Sequence, residues 1–149
     1  MAAGLGRRPV QINNRAALVK ALGARSGKGT DWYVSATKLY LAHSLLLNAT
    51  IRETKANQYG ILGFGGKDDK YHTEFEGSAA LLLSRKLAVG VEVRTKPDNL
   101  AVAKEGSAMD AFVAYAPTKN ISVTLAYADL GNIVTRRQSG LYASLQVGF

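Results

Sequence analysis

Along most of the chain, odd and even positions separate into an apolar set and a small or polar set. A period of two belongs to extended strands whose two faces meet different surroundings, not to helices. Residues 87–96 place Leu87, Val89, Val91 and Val93 on one face and Ala88, Gly90, Glu92, Arg94 and Lys96 on the other. Residues 121–128 set Ile121, Val123, Leu125 and Tyr127 against Ser122, Thr124, Ala126 and Ala128. Residues 44–54 set Leu45, Leu47, Ala49 and Ile51 against Asn48, Thr50 and Arg52. The pattern predicts strands over 32–41, 44–54, 73–84, 87–96, 109–116, 121–130 and 140–149. Their length suits the roughly 9 to 11 residues of a tilted bilayer-spanning strand better than the roughly 5 to 6 usual in globular sheets.

A soluble sandwich shows the same alternation, so the connections carry the distinction. Short ones, Ala42-His43, Arg85-Lys86 and Pro117–Asn120, alternate with long ones at 55–72, 97–108 and 131–139. Outer-membrane barrels have tight periplasmic turns and long extracellular loops. The expected fold is therefore all-β: an antiparallel up-and-down meander forming a transmembrane β-barrel, or an incomplete part of one. It would hold about 7 to 8 strands, eight being the smallest usual number. Residues 1–30 read as a basic, glycine-containing segment that either supplies a poor first strand at 8–13 or leaves the barrel one strand short, and residues 31–149 as barrel strands and loops.

A lipid-facing charge near mid-bilayer costs about 2 to 4 kcal/mol, so Arg52, Glu76, Glu92 and Arg94 are expected to face the lumen, where opposite signs can pair. Asn48, Thr50, Ser122, Thr124, Tyr142, Ser144 and Gln146 share that face, and Tyr33 joins them. The inward charges suit either a salt-bridged plug or a solute path. Trp32, Tyr40, Tyr115 and Tyr127 suit interfacial girdles, and Lys38, on the face of Trp32 and Val34, would snorkel to the periplasmic end. In the last strand, Leu141, Ala143, Leu145, Val147 and Phe149 alternate up to a terminal aromatic. That ending resembles the signal by which bacterial outer-membrane proteins are recognised for assembly. It implies outer-membrane localisation and contact with the barrel assembly machinery, outer-membrane lipid and lipopolysaccharide.

The 15 glycines against three prolines fit a sheet protein, and the absence of cysteine removes disulfides, thiolate metal sites and a cysteine nucleophile. A net charge of +8 suits nucleic acid, anionic lipid or lipopolysaccharide equally. Arg7, Arg8, Arg15, Lys20, Arg25 and Lys28 cluster, but no nucleic-acid-binding pattern accompanies them, so no nucleic-acid partner is expected. No apolar run is long enough for a transmembrane helix, which leaves a barrel open. Met1 to Asn14 lacks the apolar region of a secretory leader. An exported chain would have lost its leader, or the sequence is a fragment, the reading favoured here.

Specific chemistry is sparse. Gly23 to Thr30, "GARSGKGT", falls short of a phosphate-binding loop because only three residues separate Gly23 from Gly27-Lys28 and Gly29 intervenes before Thr30. His43 sits in a turn. His72 has Asp68, Asp69, Glu74 and Glu76 nearby and is the one place a hydrolytic site at a barrel rim would be sought. Asp68 and Asp69 lack the spaced oxygen ligands of a calcium loop. No catalytic residue, metal ligand or cofactor is expected.

Residues 30–66, "TDWYVSATKLYLAHSLLLNATIRETKANQYGILGFGG", with 78–100, 110–133 and "GLYASLQVGF", resemble the C-terminal half of an uncharacterised proteobacterial exported family, a domain of unknown function. The resemblance runs over about residues 18 to 149 and implies an outer-membrane barrel, with no substrate or catalytic residue attached. The sequence thus points to an outer-membrane barrel of the pore or transport type with a charged lumen, passing an unidentified small solute. A non-conducting structural or surface-interaction barrel working through 55–72 and 97–108 is the alternative, ahead of an outer-membrane hydrolase or a soluble β domain.

Overall fold

A computed structural model describes residues 1–11, 16–133 and 136–148. The strands are β1 (Ala2–Gln11), β2 (Lys28–Tyr40), β3 (Leu45–Thr54), β4 (His72–Leu82), β5 (Leu87–Arg94), β6 (Ala108–Thr118), β7 (Ile121–Ile133) and β8 (Arg136–Val147), with one helix, α1 (Ala16–Ala21), between β1 and β2. Every strand pairs antiparallel with its sequence neighbour, giving one sheet in the order β1 to β8. No ladder joins β1 to β8 among the described residues, so the sheet is open. Alternation fixes which way side chains point, whereas closure depends on tilt and shear, which no pattern within one strand encodes.

Three expectations are corrected. The first strand is Ala2–Gln11 rather than 8–13, paired from Ala2↔Thr37 to Gln11↔Lys28. Its glycines hide it from propensity, yet Gly6 is where the Tyr33 ring lies flat, leaving no room for a Cβ. β2 begins at Lys28, four residues before the predicted start, because β1 supplies it with a partner there. Finally, 131–139 is not a long loop: β7 runs to Ile133 and β8 starts at Arg136, across a register irregularity between Asp129 and Asn132. Gly131 makes that irregularity, with φ 67° and the Gly106 and Ser107 carbonyls where a Cβ would stand.

The two faces of the sheet are unlike. Val34, Ile51, Phe75, Val91, Val113, Leu125 and Leu145 lie on the outer face and are 45% to 66% exposed. Ser35, Thr50, Glu76, Glu92, Asp110, Thr124 and Ser144 lie on the inner face and are half-buried. Cross-strand pairs keep to these sets: Val34 opposes Ile51, which opposes Phe75, while Ser35 opposes Thr50, which opposes Glu76. A soluble sheet buries its apolar face and wets its polar one. Here the order is reversed.

The loops explain what the inner face is covered by. α1 and the turn after it, residues 55–71 and residues 95–107 all leave the same end of the sheet and fold together into a cap. Its apolar core is Val19, Ala24, Leu100 and Ala103, with Leu62 against them. The opposite end carries only the single turn Leu41–His43, the bend at 83–86 and the pair Lys119-Asn120. Parity of short and long connections therefore holds as predicted, apart from 131–139.

Candidate functional site

Arg52 stands on the inner face of β3, directly opposite Tyr33 and Glu74. A side chain of that length reaches the diagonal neighbours two residues along each partner strand. Accordingly, Arg52 Nη1 donates to Asp31 Oδ2 at 3.2 Å, and Arg52 Nε lies 3.1 Å from Glu76 Oε1. The Glu76 contact is an ion pair without hydrogen-bond geometry, and Arg52 Nη2 has no partner among the described residues. Asp31 Oδ1 also accepts the Thr54 hydroxyl at 2.6 Å. One strand further, Arg94 pairs with Glu92. Arg52, Glu76, Glu92 and Arg94 thus share one face of the open sheet and are linked in oppositely charged pairs. Pairing is required because a lone buried charge would cost several kcal/mol.

The cap reaches this cluster through Tyr59. Its ring lies 5.3 Å from the Arg52 guanidinium carbon and 5.5 Å from the Lys96 ammonium, in the range of cation–π attraction. Gln58 and Tyr59 both adopt left-handed backbone angles, φ 45° and 57°, which non-glycine residues keep only when their surroundings hold them. Gln58 is so held: its amide N–H donates to Glu105 Oε1 at 2.7 Å and its side-chain Nε2 to the Asn132 carbonyl at 2.9 Å. Lys96 Nζ in turn donates to Gln58 Oε1 at 2.8 Å and to the Leu130 carbonyl at 2.7 Å. Asn57 Nδ2, fully buried, donates to the Gly65 carbonyl at 2.8 Å. Gln58 is the joint that fastens 55–71 to 95–107 and to β7.

Burial pushes the Tyr59 hydroxyl up to about 12, against the lowering effect of Arg94 and Arg52, so it stays a phenol and a donor. Burial also holds the Lys96 ammonium below its usual range, partly offset by Glu105. Glu105 is pushed by burial up to about 7, opposed by the Gln58 N–H and by Lys96, and its Oε2 finds no partner. A carboxyl raised on folding contributes stability that is complete below the ordinary value near 4.5 and is lost as pH rises through about 7. Hydrogen exchange of the Gln58 amide, corrected for intrinsic rate, is expected to quicken between pH 5 and pH 8 in the native chain. Glu105→Gln should abolish that trend; a trend that survives it would assign the titration to another group.

Tyr59 and Arg94 divide the space beneath the cap. On one side, a cavity of about 230 Å³ is lined by Asp31, Tyr33, Ser35, Thr50, Arg52, Tyr59, Glu76 and Arg94. On the other, about 520 Å³ lies between Tyr59, Glu92, Arg94 and the inner faces of β6, β7 and β8, including Asp110, Thr124 and Tyr142. Tyr33 and Tyr142 accordingly face inward, as the register implied.

The remaining candidates disperse. His72 Nε2 lies 3.0 Å from Asp68 Oδ1, and the His72 hydrogen bond holds the Asp68 carboxyl below its usual range. Asp69 pairs instead with Lys55 at 3.2 Å. No hydroxyl nucleophile joins His72 among the described residues, and no three His, Asp or Glu side chains there converge as a metal would need. His43 is exposed in its turn. In 23–30, the Arg25 and Ser26 amides both donate to the Phe64 carbonyl at 3.0 Å, so backbone that would cradle a phosphate is spent holding the cap. Leu141, Leu145 and Val147 line the outer face of β8, exposed, while Phe149 lies outside the described residues. Lys38 is outward and stacks 4.4 Å over the Tyr40 ring. Arg15 also falls outside the described residues.

Sequence reasoning missed Asp31, Tyr59, Gln58 and Glu105. Asp31 was legible, having the parity of Tyr33 and Ser35 one residue before the predicted strand. The other three belong to loops, where no periodicity says which side chain turns inward.

Over residues 2–146 the sequence matches a family profile described as "Protein of unknown function (DUF3034)". No curated protein and no solved structure matches the chain.

Proposed function

The chain belongs to the DUF3034 family of proteins of unknown function, and from that premise we propose that it is a bacterial outer-membrane β-barrel of the pore or transport type. The inner face lines its lumen, and the cap narrows the extracellular mouth. One observation carries this reading: the sheet turns its apolar face outward and its charges inward, an arrangement stable in lipid and costly in water. Strands of 8 to 13 residues suit the span. In hydrocarbon every backbone N–H and C=O needs a partner, so the exposed edges of β1 and β8 are paired in the membrane. Among the described residues no helix is long and apolar enough to cross a membrane, which bears only on helical spans.

Outer-membrane lipid would meet the outer face, and lipopolysaccharide phosphate the exposed Lys67 and Lys70 at the cap end. Leu141, Leu145 and Val147 would present the β signal to the assembly machinery. A non-conducting barrel is the second reading, favoured by the buried ion pairs under the cap, which fill the inner face as a plug would.

Refolding in detergent, a faster-migrating unheated gel band and single-channel recording test the proposal together. Tyr59→Ala removes the partition between the two cavities and is expected to raise single-channel conductance several-fold over the native chain. A heat-modifiable, folded protein that shows no channel in either form would overturn the pore and leave the plug.

A further inference from the structure

The smaller cavity beneath the cap has an uneven supply of partners. Arg52 is nine-tenths buried, and among the described residues its Nη2 and the buried Tyr59 hydroxyl have no partner. Arg94, half-exposed, reaches the same space, and among the described residues only its Nε is engaged, by Glu92. These are donors, converging from β3, β5 and the cap. A buried donor left without an acceptor costs free energy, and a native cluster keeps one where something else completes it. Among the described residues the acceptors are more fully engaged: each Asp31 oxygen already accepts one bond, from Arg52 and from Thr54, whereas Glu76 holds a single contact, to Arg52 Nε.

Charge narrows the class of molecule. Among the described residues the lining carries two guanidiniums, Arg52 and Arg94, and two carboxylates, Asp31 and Glu76, so that described lining is balanced in charge. A bare anion would add an uncompensated charge to this partly open cavity, as would a bare cation. A neutral polyol would leave the guanidinium donors with their weaker partners. A molecule bearing both charges leaves the balance intact and meets both needs.

We propose that this cavity, of about 230 Å³, binds a small dipolar molecule the size of a free amino acid, its carboxylate received by Arg52 Nη2, Arg94 and the Tyr59 hydroxyl and its ammonium by Glu76. The assignment rests on the lumen reading for the route by which the molecule arrives. Tyr59 belongs to the cap, so an occupied site ties the cap to the sheet and the bound molecule becomes part of the closure.

Equilibrium dialysis of the full chain, refolded in micelles and heat-modifiable, against labelled glycine tests it. Saturable binding of one glycine per chain is expected, weakened about tenfold by Arg94→Gln, which loses a charge-assisted donor, and by a smaller factor by Tyr59→Phe. Both variants keep Arg52 and its ion pairs, Arg94→Gln gives up the pair with the partly exposed Glu92, and heat modifiability of each variant establishes that it folds. Acetate and methylammonium are expected to compete at least about tenfold less well than glycine. No saturable binding, binding indifferent to both variants, or acetate competing as well as glycine would each overturn the proposal. Channels without glycine binding would sink this site alone, whereas glycine binding without channels would sink the pore and leave the site.

Discussion

Val91→Arg is expected to destabilise the chain folded into lipid vesicles by about 2 to 4 kcal/mol. Val91 lies in the middle of β5, on the outer face, between Ala79 and Ala111 on the neighbouring strands, and is 57% exposed. In water, arginine at so exposed a position on a strand is tolerated, typically within about 0.5 kcal/mol. In a bilayer the same side chain must sit in hydrocarbon or distort it to reach the interface. The small flanking alanines offer no partner. Urea titration of the folded protein in vesicles, native against Val91→Arg, reads the difference directly, with Lys119→Arg at the turn between β6 and β7 as a neutral control. A loss below about 0.5 kcal/mol would mean that Val91 faces water or protein, and the membrane reading would go with it.

That test is available because the outer face was legible in the sequence. Val34, Ile51, Val91, Leu125 and Leu145 alternate with polar residues over whole strands, and side-chain direction along a strand follows from backbone geometry alone. The polar set follows for the same reason, because Arg52, Glu76, Glu92 and Arg94 fall on one face by alternation alone. What the pattern lacks is position across the sheet. That Arg52 meets Asp31 and Glu76 is a matter of register, set where β2 and β4 pair with β3. β1 was nearly invisible because Ala2, Ala3, Gly4 and Gly6 carry no strand propensity; its place comes from the ladder with β2 and from the flat Tyr33 ring. The cap was unreadable for a different reason. Gln58 and Tyr59 take left-handed conformations that their own side chains disfavour, and side chains and backbone distant in sequence, Glu105, Lys96 and Asn132, help hold them there.

Arg52→Met is expected to be the costliest single substitution on the inner face, at about 3 to 5 kcal/mol. Methionine fills much of the same volume, so the loss is one of charge: Asp31 keeps only the Thr54 hydroxyl and Glu76 loses its one ion pair among the described residues. Removing both carboxylates as well, in the triple variant Asp31→Asn, Arg52→Met, Glu76→Gln, leaves neither carboxylate charged without its guanidinium and should recover most of the stability. The size of the single-variant effect reports on water. If the cluster is sealed by the cap, as its burial indicates, the full cost appears; in an open, hydrated lumen, screening would cut it below about 1 kcal/mol. Placing Arg52→Met in the Tyr59→Ala background separates the two conditions within one molecule. With the partition gone, water reaches Asp31 and Glu76, and the cost of losing Arg52 is expected to fall to less than half of its value beneath an intact cap. An undiminished cost would show that Tyr59 does not gate access to the cluster, and the path for solute would have to run past Asp110 and Tyr142 in the larger cavity instead.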